Sequence, residues 1–171
     1  MGILRWLGIE TKGSDDDGDT ETVRRIAAQL ERLPDDQARH LAAFAYVLAR
    51  VAHADLDIDE TEAREMERIV SEVAQLKPDE ATLAVEIAKS QARLLGGTEN
   101  YVVTRQYRDL STPEQRARLL ECLYAVAAAD GTVSTTEDGE IAAIGEELGF
   151  TRPEVLSVRA RWREHLGVLR K

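Results

Sequence analysis

The chain has 171 residues and a formal net charge of -10, with 32% charged, 43% apolar and only 5% aromatic residues. That length suits one domain with a core of its own and is short for two. The acidic balance excludes nucleic acid as the main partner, because phosphate binding needs a basic face that releases counterions. It leaves cations as the better guests, while the wealth of Ala and Leu favours helices over sheets.

Residues 1–9 place Ile3, Leu4, Trp6, Leu7 and Ile9 around a single Arg5. The segment is too short and too weakly charged for a secretory signal, and Trp6 stands where a myristoylation site needs Ser or Thr. It reads either as a short helix for a membrane surface or a protein partner, or as a first segment folded back on the body. Residues 11–19, TKGSDDDGD, hold no apolar side chain and read as a flexible acidic linker. The domain is therefore expected over residues 20–171, with 1–19 outside it.

From there the apolar spacing predicts helices almost without interruption. Val23, Ile26, Ala27, Leu30 and Leu33 recur at helical intervals until Pro34 ends the first element. Asp35 or Asp36 caps a second, whose stripe runs through Leu41, Phe44, Ala45, Leu48, Val51 and Ala52. A third is expected over residues 60–76, and a fourth from Pro78 to the Gly96-Gly97 stop. The fifth, over residues 98–110, contains the strand formers Tyr101 to Thr104 but has no partner strand, so a helix is expected there too. Ser111-Thr112-Pro113-Glu114 starts the sixth, which runs to about Ala129. The seventh lies between Ser134 and Gly149, and the eighth begins at Thr151. The predicted fold is all-α: a compact bundle of about seven to eight helices with short loops.

A shift of 75 positions lays one part of the chain on another. Asp130 falls on Asp55, Val133 on Ile58, Glu137 on Glu62, Ile141 on Met66 and Ile144 on Ile69. The bundle thus contains two copies of a helix, an acidic loop and a helix. Charge is concentrated in both copies, with eight acids against two arginines over residues 55–72 and six acids with no base over 130–147. The last stretch, 151–171, carries six basic residues against two acids and is expected to neutralise part of that surplus in the fold.

In each copy the Asp follows an Ala-rich helix end, where the helix dipole disfavours negative charge. Asp55, Asp57 and Asp59 alternate with Leu56 and Ile58, so three carboxylates can point one way while Glu62 returns from the next helix. Such an oxygen cluster suits a hard divalent cation, calcium or magnesium, and Asp130 with Glu137 repeats its ends. The same glutamates have a second reading. Ser134-Thr-Thr-Glu137 fits a capping box and Asp59-Glu-Thr-Glu62 shares the spacing, so each Glu is either a ligand or a helix cap.

Other chemistries fail on the residues. An EF-hand needs Gly at its sixth position and Glu at its twelfth, where the first loop has Glu60 and Met66. A di-iron bundle needs Glu-x-x-His, and none of His40, His53 and His165 has a Glu three before it. No nucleophile elbow, phosphate-binding glycine loop or Cys/His pair is visible, so catalytic residues and an enzymatic activity are not expected. Cys122 is the sole cysteine, which rules out an internal disulfide and points to a reducing cytoplasm.

The two loops, AHADLDIDETE over residues 52–62 and AAADGTVSTTE over 127–137, resemble the TerB-like family. That family comprises tellurite-resistance proteins and the related helical domain of some membrane-anchored J-domain co-chaperones. The resemblance covers roughly residues 20–166 and implies a repeated all-helical unit with acidic clusters that bind metal cations. It further implies a bacterial protein of tellurite resistance or stress response without enzymatic activity. Leu56 departs from the glycine frequent there, which Gly131 keeps. Two functions are expected to compete: a cytoplasmic cation-binding protein using Asp55, Asp57, Asp59, Glu62, Asp130 and Glu137, or an interaction module. The module would dock a basic protein on its acidic face and tether residues 1–9 to a partner or the inner membrane.

Overall fold

The computed structural model describes residues 25–26, 28–52, 60–94, 100–130 and 133–163, without the side chains at 52, 90–94, 100–103 and 130. After a helical stretch over 28–31 come α1 (Asp35–Ala52), α2 (Glu60–Val73), α3 (Pro78–Leu94) and α4 (Asn100–Leu110). Then follow α5 (Pro113–Ala127), a 3₁₀ turn (Ala128–Asp130), α6 (Thr135–Glu147) and α7 (Arg152–Ala160). The fold is all-α, as predicted. Residues 1–24, including the apolar start and the acidic linker, and the Gly96-Gly97 stop lie outside the described residues.

Helix α1 is the axis of the bundle. Every residue from Leu41 to Ala49 is buried, so the helix is apolar all round and is covered on each side by α3, α4, α5 and α6. The duplication read from the sequence governs the packing. Ala52 ends α1 and Ala127 ends α5, 75 positions apart, and Glu60 and Thr135 begin α2 and α6 at the same interval. Each repeat's second helix covers the other repeat's first, α2 lying on α5 and α6 on α1. The repeats therefore share one core, in which Phe44, Leu48, Leu119, Leu123, Ile141 and Ile144 are fully enclosed.

Local chemistry sets the ends. Thr112 caps α5 in a complete capping box with Gln115, and Thr151 caps α7 in another with Glu154. Helix α6 closes at Gly149, whose φ of 93° belongs to the left-handed region, with Gly149 N–H donating to Glu146 and Phe150 N–H to Gly145. Helix α2 ends at Val73, three residues before the predicted limit, because Gln75 adopts a φ of 57° and leaves the helical path. The strand formers of α4 are helical because burial overrides propensity: Thr104 and Tyr107 pack into the core. Cys122 is fully buried and its thiol is pushed up to about 12 by desolvation, an inert small core residue.

Candidate functional site

The second loop shows how an acid comes to stand at a helix end. Helix α5 continues into the 3₁₀ turn, and Asp130 is that turn's last residue. Its backbone thus lies at the carbonyl end of a helical segment, the placement the sequence predicts and the dipole opposes. Val133 then buries its side chain and anchors the far side of the loop, as the pattern requires.

Glu137 takes the capping role. Ser134 N–H donates to Glu137 Oε1 at 3.0 Å and Glu137 N–H donates to Ser134 Oγ at 3.1 Å, the reciprocal pair of a capping box. Its side chain is nonetheless drawn inward, since the residue is only 8% exposed. Glu62 stands in the first turn of α2 as an exposed residue. Asp55, Asp57 and Asp59, the remaining predicted ligands, lie outside the described residues, as does the Asp59 cap proposed for Glu62. Among the described residues no three His, Cys, Asp or Glu side chains gather in a metal-binding group.

Three of the six acids in the second repeat are taken up by arginines from elsewhere. Arg159 on α7 grips Asp138 with both Nε and Nη2, at 3.0 and 2.9 Å, in the neutralisation anticipated for the basic C-terminal stretch. Tyr124 adds a longer O–H bond to the same carboxylate at 3.4 Å. The other two acids meet a residue that sequence reasoning missed. Arg50, in the last turn of α1 with a side chain only 7% exposed, donates from Nε to Glu140 at 2.7 Å. Its Nη1 donates to Glu147 at 2.5 Å and to the buried Thr104 hydroxyl at 2.9 Å. One guanidinium thus ties α1 to α6 and α4.

The repeat explains the carboxylates that Arg50 finds. Glu140 and Glu147 fall on Glu65 and Glu72 at the 75-residue shift, and those two are also bridged by an arginine. There it is Arg68 of the same helix, at 2.5 and 2.9 Å, with all three side chains largely in solvent. An exposed ladder of this kind contributes little stability, because solvent screens each pair. The enclosed version between α1 and α6 is the one that positions elements.

No described helix is long and apolar enough to cross a membrane. Neither a curated protein nor a solved structure matches the chain significantly. The family model described as tellurite resistance protein TerB matches residues 40–160, which hold both acidic loops and all seven helices but the first turn of α1. That span is well over half of the chain, and the chain belongs to the tellurite-resistance-associated TerB family.

Proposed function

We propose that the protein is a non-enzymatic, cytoplasmic binder of a divalent cation, calcium or magnesium, acting in a bacterial response to tellurite or related stress. The observation that carries this reading is the position of Asp130 at the end of the 3₁₀ turn that prolongs α5. A helix end presents carbonyl oxygens that carry partial negative charge, and a carboxylate added there costs stability unless a cation is shared between them. In the sequence Asp55 holds the matching position of the first repeat, two residues after the one that aligns with Ala128. The donor set of Asp55, Asp57, Asp59, Glu62, Asp130 and Glu137 is all oxygen, which fits hard cations and gives zinc no nitrogen or sulfur.

Titrating calcium, magnesium or manganese into the full chain and following the melting temperature tests the reading. A saturating cation raises stability by about 2.7 kcal/mol at a hundred times its dissociation constant. No rise with any of the three at millimolar concentration would sink the proposal. A second reading, docking of a basic protein, draws support from the exposed acids Glu60 and Glu62 on α2. It loses ground in the second repeat, where Asp138, Glu140 and Glu147 already hold arginines.

A further inference from the structure

Helix α4 meets the axis of the bundle through two polar side chains. Thr104 is fully enclosed, and its hydroxyl accepts from Arg50 Nη1 at 2.9 Å. One turn on, Tyr107 is 1% exposed and lies against two rings of α1. Phe44 stands 6.3 Å away between ring centroids, and His40 stands at 5.1 Å with the planes tilted by 42°. The Tyr107 hydroxyl donates to the Gln115 carbonyl at 3.5 Å, and His40 Nε2 is buried with no hydrogen-bond partner among the described residues. A neutral imidazole tolerates this, since one of its nitrogens carries no hydrogen. An imidazolium donates from both, so protonation buries an N–H without an acceptor and a charge with it.

The groups around His40 do not answer that charge. On α3, Glu80 is the one charge acting on it among the described residues, and the Glu80 carboxylate already accepts from Gln37 Nε2 at 3.3 Å. On α4, burial keeps the Tyr107 phenol protonated, and Arg116 and Cys122 of α5 act on that phenol. Desolvation therefore outweighs Glu80 and lowers the pKa of His40.

We propose that His40 is a proton-operated catch on α4: its neutral ring packs on Tyr107 and closes α4 on α1, and its protonation from solvent releases α4 and uncovers the Arg50 guanidinium. Little else has to give way. Helix α5 begins from its own capping box at Thr112 and Gln115, and Arg50 keeps Glu140 and Glu147 of α6 when Thr104 leaves. The motion is a local opening that precedes loss of the core. Opening takes up a proton, so the closed form is complete above pH 6.5 and weakens as pH falls below it. One histidine with an ordinary pKa of 6.5 in the open form shifts the balance by at most about tenfold between pH 7.5 and 5.5.

Amide hydrogen exchange in the full chain, corrected for the intrinsic effect of pH on exchange, tests the catch. Protection of residues 104–110 is expected to fall by up to about tenfold from pH 7.5 to 5.5, while residues 119–123 of α5 keep theirs. The fall is expected to vanish in His40→Phe and in His40→Leu, neither of which takes a proton. Two replacements of different shape prevent a misfitting ring from deciding the result. An equal fall in α5 overturns the catch in favour of a general loss of stability, and a fall that survives in both variants overturns the assignment to His40. Constant or rising protection of α4 at pH 5.5 overturns it as well, showing the charged imidazole still held on the Tyr107 ring by cation–π attraction.

Discussion

Glu137 has two roles open to it, and one pair of substitutions separates them. Ser134→Ala removes the hydroxyl that accepts from Glu137 N–H at 3.1 Å and leaves the carboxylate alone. Loss of such a cap costs about 1 kcal/mol. Glu137→Gln does the reverse: an amide oxygen can still accept from Ser134 N–H, as Gln115 does for Thr112 in α5 at 2.8 Å. What it loses is a negative charge in the first turn of α6, about 0.3–1 kcal/mol. Without metal, the two variants are therefore expected to fall below the unaltered protein by similar small amounts in urea unfolding followed by circular dichroism. With saturating calcium they part. Ser134→Ala keeps the whole calcium increment, about 2.7 kcal/mol at a hundred times the dissociation constant, and Glu137→Gln forfeits most of it. An unchanged increment in Glu137→Gln would show the residue to be a cap and nothing more. An unchanged midpoint in metal-free Ser134→Ala would refute the capping energetics themselves.

Two further expectations concern the body of the fold. A Cβ on Gly145 would lie 2.7 Å from Val155 Cγ2, and the β-branched Val155 side chain is 5% exposed and cannot swing aside. Gly145→Ala is expected to destabilise by about 1 kcal/mol, overpacking outweighing the better helix propensity of Ala; adding Val155→Ala should relieve it, and strict additivity in a double-mutant cycle would contradict the contact. His40 packs its ring 5.1 Å from Tyr107 and has a buried Nε2 with no hydrogen-bond partner among the described residues, and desolvation lowers its pKa below 6.5 despite the opposing pull of Glu80. The unfolded chain then binds the proton more readily, so the stability this histidine contributes is complete above pH 6.5 and is lost as pH falls toward the lowered folded value. The urea midpoint should drop between pH 7.5 and 5.5, and His40→Phe should shrink that drop.

The helices were legible because their signals are local. Thr112-Pro113, Ser134 with Glu137, and Thr151 with Glu154 each complete a cap within four residues, and the apolar stripes need only a turn or two of neighbours. The 75-residue shift was legible for the same reason, and the ends of α1 and α5 and the starts of α2 and α6 keep it to the residue. The charge of the second repeat was not. Counting acids along 130–147 finds no base, whereas in space Asp138, Glu140 and Glu147 hold arginines from α7 and α1. Arg50 reaches partners 54, 90 and 97 positions away, beyond any window of sequence.

A signal for Arg50 nevertheless existed, and it lay in the comparison of the repeats. Arg68 sits between Glu65 and Glu72 in α2, and the matching position between Glu140 and Glu147 in α6 is Ala143. A carboxylate pair kept while its arginine is lost implies a counter-charge from elsewhere, because two acids seven apart on a helix face packed against a neighbour need one. Arg50 is the only charged residue in the apolar run 41–52, and a charge on a helix buried all round must find a partner there. The two anomalies, an acid pair without its base and a base without its acids, answer each other. Where a duplicated fold loses a residue in one copy, the place to look for its replacement is the helix of the other copy that packs on it.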